Sequence, residues 1–495
     1  MSTNGIFSRK RSGAAQPAPP PPTPQPVTAE ALEEIFAGCA DYESRPVWPG
    51  AKALGGVTVC WLDGLVSGKN VSEDVVRPLT DSDRLAGAES ASECVERLLK
   101  GAVWWNSVKR RDSLDELAQD LVHGCCAVVF DHLKCAVSFE TKTDDSRAIS
   151  TPTIEKTVKG GKDAFVETLR TNTSLVRRKL RTPRLKLEQS TVGQNSGTDL
   201  AILYIEGAAD ADTLSELRAR IDGIQIDGLT AAGQLEQRLT DHPYSPFPQL
   251  LHTERPDKFA SELLVGRIGV IVDGLPVGFL MPATLSRFLS VAEDRAQHFL
   301  IASSLTLLRW LSLLISLLFP ALFVAVSMYH QEMIPSRMLL SMIEAKQKVP
   351  FSEAFEVLAM LLAFELLLEA GIRLPDPIGD TVSIIGALIV GQSAVEASVV
   401  SPIAVIVVST AAICGFTLPS RDMGAALRAG RVLMVFLAIA LGLFGIALGL
   451  ALLLWYLNML ESFGVAYTSP MAEGGFKAVL NSFIRLPGYQ QRSGK

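Results

Sequence analysis

Residues 330–402 read HQEMIPSRMLLSMIEAKQKVPFSEAFEVLAMLLAFELLLEAGIRLPDPIGDTVSIIGALIVGQSAVEASVVSP. Apolar stretches of membrane length alternate here with short charged hinges, a pattern foreign to ordinary soluble sequence. Glu365, Gln392 and Glu396 lie inside or at the edge of the apolar runs. A charge at that depth is costly unless it faces protein or water, so such residues are functional candidates by default.

Working outward, residues 300–326 form an apolar run long enough to span, given about 20 apolar residues for one bilayer crossing. Arg309 lies near its start and either snorkels to the interface or pairs with a carboxylate. Residues 354–370 are shorter and flanked by Glu353, Glu356 and Glu369, which leaves spanning, re-entrant and interfacial placements open. Residues 378–397 and 402–418 make a closely joined pair. Residues 432–457 read as a single span, with Gly442, Gly445 and Gly449 permitting close helix contact. That gives a helical membrane domain of four to five segments over 299–460. Basic residues in the 419–431 loop (Arg421, Arg428, Arg431) and in the 461–495 tail (Lys477, Arg485, Arg492, Lys495) both favour the cytoplasmic side. One crossing by 432–457 cannot satisfy both, so the parity stays open.

The preceding 298 residues have the character of soluble sequence. Residues 1–44, with the run PAPPPPTPQP, form an expected disordered leader, whose first residues, MSTNGIFSRKRSG, are basic and lack the apolar core of a signal peptide. An α/β subdomain is expected over 45–145, with a strand at 57–65, a helix at 114–121 and a hairpin over 127–139 turning at Asp131-His132. A second spans 146–298, with helices at 162–179 and 212–221 and strands at 200–205 and 268–272. The fold class is therefore α+β with a membrane part: a cytosolic module of two α/β subdomains, then transmembrane helices. A net charge of −6 argues against nucleic acid as a partner. The seven cysteines show no metal-ligand spacing, and Cys125-Cys126 read as buried strand residues. No P-loop, nucleophile elbow or zinc-type His-Glu spacing is present, so neither an enzyme nor a cofactor is expected.

Two faces emerge along 378–397 at helical spacing. Val382, Ile385, Ile389, Gln392 and Glu396 make a stripe that is apolar at one end and polar at the other. It either lines a pore, with a hydrophobic gate and a ring of Glu396 at one mouth, or faces lipid. Glu365 and Glu369 share a helix face and have Arg309 or Arg373 as candidate partners; an ion relay is the sharper alternative. Residues 334–349 suit a helix lying in the interface. Arg177, Arg178, Lys179 and Arg181 are candidates for contact with anionic headgroups or a partner subunit, and a solvated face is the plain alternative.

Several blocks together resemble the A subunits of the GerA-type spore germination proteins. They are STPTIEKTVKGGKDAFVETLRTNTSLVRRKL (150–180), VGQNSGTDLAILYIEGAAD (192–210), GRIGVIVDGLPVGFLMPA (266–283), FPALFVAVSMYHQEMIPS (319–336), the 369–402 stretch and SFGVAYTSP (462–470). The proline leader and much of 80–140 depart from that pattern. The resemblance implies a nutrient germinant receptor in the spore inner membrane, with a permease-like B subunit and a lipoprotein C subunit as partners. It also implies A subunits that oligomerise around a cation path opening on nutrient binding. A paralogous branch, the stage V sporulation AF-type proteins, shares the soluble blocks. A secondary transporter would show repeated membrane halves, which the sequence lacks; a non-conducting scaffold or transducing subunit is the remaining alternative.

Overall fold

The computed structural model describes residues 26–49, 55–81, 90–102, 107–142, 160–373, 391–469 and 479–484 except 481, with the single positions Leu85, Pro152, Glu155, Thr157 and Met471. The chain forms two compact units, one of residues 1–143 with 181–183, the other of 144–180 with 184–495.

In the first unit five strands, β1 (Tyr42–Val47), β2 (Val57–Leu62), β3 (Val108–Arg111), β4 (Cys125–Phe130) and β5 (Cys135–Glu140), form an antiparallel sheet in the order β1-β2-β4-β5-β3. Helix α1 (Leu114–Val122) buries Leu114, Leu117, Ala118, Leu121 and Val122, the spacing of one helix face. The β4–β5 hairpin turns at Asp131–Leu133, as its sequence suggests. Folding starts earlier than the expected leader boundary at residue 44. Ala29–Ile35 is helical, Val27, Leu32 and Phe36 are buried, and β1 supplies an edge strand. Apolar side chains at those three positions outweigh the polar character of their neighbours.

The second unit opens with α2 (Leu169–Lys179), shorter than the 162–179 expected from spacing. The side chain of Asn172 explains the late start. Its Oδ1 accepts the N–H of Val166 at 2.8 Å and its Nδ2 donates to the Val166 carbonyl at 2.6 Å, holding that segment out of the helix. Strands β6 (Leu185–Val192), β7 (Thr198–Ile205), β8 (Leu251–Thr253), β9 (Ile268–Val272) and β10 (Gly278–Met281) make a second antiparallel sheet in the order β6-β7-β9-β10-β8. Its two faces separate by strand alternation. Leu200 and Ile202 pack with Leu214, Leu217 and Ile221 of α3 (Ala211–Asp222). Ala201 and Leu203 join Val176 of α2 with Phe259 and Leu263 of α4 (Pro256–Leu263). The Phe259 ring lies directly on β9, where a Cβ at Gly269 would overlap it.

This second core does not stop at the sheet. The same apolar cluster runs through Phe288 and Leu289 into Leu313, Leu317, Ala321, Val435, Ala438 and Leu457 of the helices that follow. These are α5 (Phe299–Tyr329), α6 (Ser336–Lys346), α7 (Glu353–Arg373), α8 (Pro402–Phe416) and α9 (Arg421–Met459). Among the described residues, α5 and α9 are long and apolar enough to cross a membrane, and α8 is a shorter apolar helix. Helix α6 buries no residue, in keeping with the interfacial placement its sequence suggests.

Helix α9 corrects the single span expected over 432–457. Gly442 sits at φ 60° and ψ −139°, outside helical space, and the chain reverses there. Residues 421–441 climb beside α5 in the same direction, since Arg431 meets Ser316 and Ile439 meets Tyr329. Residues 443–459 come back against them: a Cβ at Gly445 would overlap the Leu437 carbonyl oxygen, and one at Gly449 would lie 2.7 Å from the side chains of Leu437 and Met434. Both ends return to the second sheet. Asp422 lies 3.6 Å from His252, and the Tyr456 and Phe247 rings are 6.1 Å apart. The element is a helical hairpin. Its glycine row permits close packing, as expected, but on its own other arm.

Candidate functional site

Apolar helices leave few places for charge, so each buried polar group in the bundle has a role to account for. Arg431 is 5% exposed. Its Nη2 donates to Ser316 Oγ at 3.1 Å, while its Nε lacks a hydrogen-bond partner. Gly415 makes room for this contact, because a methyl there would lie 3.2 Å from Ser316 Oγ and 3.4 Å from Arg431 Nη2. One helical turn earlier, Arg428 Nε donates to Glu365 Oε1 at 3.0 Å, joining α9 to α7. Glu356, 1% exposed, accepts the Ser401 N–H at 2.7 Å through Oε2, at the point where Ser401 caps α8. A carboxylate suits the positive end of a helix. Its Oε1 has no hydrogen-bond partner.

A second set of polar contacts ties the bundle to the α/β sheet. The Arg309 guanidinium grips Asp294 with two bonds of 2.7 and 2.9 Å and reaches the Leu289 carbonyl at 3.3 Å. Past the hairpin, residues 462–469 (SFGVAYTS) form a latch. Ser462 Oγ accepts the Ala283 N–H at 3.0 Å and donates to the Gln249 carbonyl at 2.9 Å. The Phe463 N–H donates to Asp241 at 2.8 Å, and Arg220 lies 4.3 Å above the Phe463 ring. Tyr467 is fully buried against Phe288, and its carbonyl accepts the Leu285 N–H at 2.8 Å. His252 of β8 stands between Glu236 at 3.4 Å and Asp422 at 3.6 Å. Burial opposes its charge, but Glu236 and then Asp422 outweigh burial and hold its pKa above the ordinary value.

The residues singled out by sequence fall into several groups. Val382, Ile385 and Ile389 lie outside the described residues. Gln392 and Glu396 occupy the helical turns at 391–396, both exposed, with Gln392 Nε2 donating to Glu396 Oε1 at 2.9 Å. Arg309 takes Asp294 rather than Glu365 or Glu369 as its carboxylate, because the chain just before α5 folds back along it. Glu365 pairs with Arg428 and not with Arg309, since α7 packs beside α9; the side chain of Arg373 lies outside the described residues. Glu369 is exposed. Arg177 is corrected: at 1% exposure it serves no surface, and its Nη1 donates to the Leu185 carbonyl at 2.8 Å. Arg178 is half-buried, Lys179 pairs with Asp163 at 2.8 Å, and Arg181 is exposed. Sequence reasoning missed Glu356 and Asp294 as buried partners and placed Arg431 in a loop. The signal for Arg431 was the unbroken apolar run that begins at Val432.

Together these features define a class: an α/β module whose core continues into an apolar helical bundle with charged groups inside. The family described as Bacillus/Clostridium GerA spore germination protein matches residues 30–494, and the chain belongs to it. Spore germination protein KA of Bacillus subtilis (strain 168) is 35% identical over 459 residues, 93% of this chain and 84% of that protein. Spore germination protein A1 of the same organism is 37% identical over 407 residues, 80% and 84% of the two chains. Among solved structures, the N-terminal domain of the A subunit of the Bacillus megaterium spore germinant receptor GerK3 matches with a TM-score of 0.41 and 28% identity, covering 52% of this chain and 93% of that one.

Proposed function

We propose that this chain is the A subunit of a nutrient germinant receptor in the spore inner membrane, and that it couples nutrient sensing to cation release. In this reading it is not an enzyme. Copies ring together around a path lined by Val382, Ile385 and Ile389 as an apolar gate, with Gln392 and Glu396 at one mouth. The exposure of Gln392 and Glu396 on a single chain fits a face completed by neighbouring copies. A permease-like B subunit and a lipoprotein C subunit complete the receptor, and the α/β module faces the cytoplasm.

The observation that carries this reading is the shared core of sheet and bundle. The hairpin is anchored at both ends to residues within or beside β8, so a displacement of the sheet moves the helices with it. The test is release of monovalent cations from spores carrying Ile385→Ala or Ile389→Ala at matched protein level. Release without nutrient supports the gate. Wild-type behaviour from both variants removes this stripe from the conducting path.

A further inference from the structure

Glu262, at the end of α4, is 3% exposed and faces three arginines. Arg267 Nη1 lies 3.2 Å from its Oε2; Arg295 Nη2 and Arg287 Nη1 lie 2.9 and 3.7 Å from its Oε1. Positive charge exceeds negative here even when Glu293 of the neighbouring turn is counted, because Asp294 is committed to Arg309. Arg267 is the most deeply buried of the three, with 10% of its side chain exposed. Burial, only partly offset by Glu262, together with the nearby Arg287 and Arg295, pushes its pKa down to about 10. Its Nη1 has no hydrogen-bond acceptor. Arg287 and Arg295 are about a third exposed, with side-chain exposures of 32% and 39%.

Two aliphatic side chains flank this cluster in the open. Leu264 and Val265 come two and three residues after Glu262 and are 61% and 57% exposed. The height of the cluster follows from α5. Its 31 residues make a rod of about 46 Å, longer than a hydrocarbon core of about 30 Å. The stretch from Arg309 to Tyr329 alone accounts for about 30 Å. Asp294 and Leu289 of the module touch Arg309, and a span that begins at Arg309 would put the adjoining Arg295 at the level of the headgroups.

We propose that Arg287 and Arg295, backed by Arg267, bind the phosphate of an anionic phospholipid while Leu264 and Val265 enter the acyl boundary. The guanidinium fork matches phosphate oxygens, and an aliphatic pair beside basic side chains is the pattern of a surface seated on anionic lipid. Glu262 keeps the arginines in place without neutralising them.

The test uses the full-length protein in detergent, with short-chain phosphatidylglycerol, short-chain phosphatidylcholine and inorganic phosphate as separate probes of melting temperature. Phosphatidylglycerol should raise the melting temperature, and phosphatidylcholine should not. Arg287→Gln with Arg295→Gln should raise the half-saturating lipid concentration about a hundredfold, roughly tenfold for each of the two charge-assisted bonds lost. If that pair fails to fold, Leu264→Ser with Val265→Ser tests the same site and should weaken lipid response but not phosphate response. Full stabilisation by inorganic phosphate alone overturns the lipid assignment in favour of a free anion. A wild-type protein indifferent to phosphatidylglycerol overturns it in favour of a protein partner.

Discussion

Replacing Gly442 should unfasten the hairpin. At φ 60° and ψ −139° the backbone occupies a region that side-chain-bearing residues avoid, at a cost of order 1–3 kcal/mol. A methyl would also sit 3.3 Å from the ring of Tyr329, whose hydroxyl donates to the Ile439 carbonyl at 2.5 Å, at the reversal. Taking about 2 kcal/mol for Gly442→Ala, the equilibrium for docking the returning arm shifts roughly 30-fold; Gly442→Val should cost more. The competing state is a straight 39-residue helix of about 58 Å, nearly twice a bilayer core. Ser462 is 1% exposed in the latch, so Ser462→Cys provides a reporter. A membrane-impermeant maleimide should label it slowly in the otherwise native chain and much faster once Gly442 is replaced. Unchanged protection with an unchanged melting temperature would refute a strained reversal at Gly442.

Three further outcomes follow from the contacts. Arg220→Ala removes the cation over Phe463 together with its pairings to Asp241 and Glu216; a loss of about 1–2 kcal/mol should appear as a lower melting temperature and faster labelling of the Ser462→Cys reporter. Glu356→Gln keeps an acceptor for the Ser401 N–H and should leave stability within about 1 kcal/mol, whereas Glu356→Ala strands that N–H and should cost about 1–3 kcal/mol. Because the pKa of His252 is raised in the folded chain, its stabilising contribution is complete below the unfolded value of about 6.5 and fades as pH rises through the folded one. His252→Gln should therefore flatten the pH dependence of melting temperature across that window.

The sequence made β7 and β9 legible as short continuous apolar runs, LAILYI and IGVIV, buried on both faces. It concealed β6, because LKLEQSTV carries three apolar residues in eight and buries Lys186 among them. It also overextended α2, since the fork of bonds from Asn172 to Val166 is tertiary in origin and leaves no periodic trace. The hairpin was hidden for a related reason. Residues 432–457 are apolar throughout, so hydropathy alone cannot separate one long helix from two short ones folded together. The clue was the unresolved conflict between two basic segments that both favoured one side. Glu365 and Arg309 stood out in the sequence as charges within apolar runs, but their partners depended on which helices pack together, which periodicity does not encode.

The latch has a consequence for biogenesis. Phe463 belongs to the apolar cluster on one side of the second sheet, and Tyr467 to the cluster on the other. Both leave the ribosome after every long helix of the bundle. The module therefore reaches its final packing only when the hairpin has folded and brought its far end back to the sheet. A chain whose last arm is misrouted leaves the Ala283 N–H and the Gln249 carbonyl without Ser462, and two core positions without their rings. Completion of the α/β half thus reports on correct folding of the helical half, a quality check written into the order of synthesis.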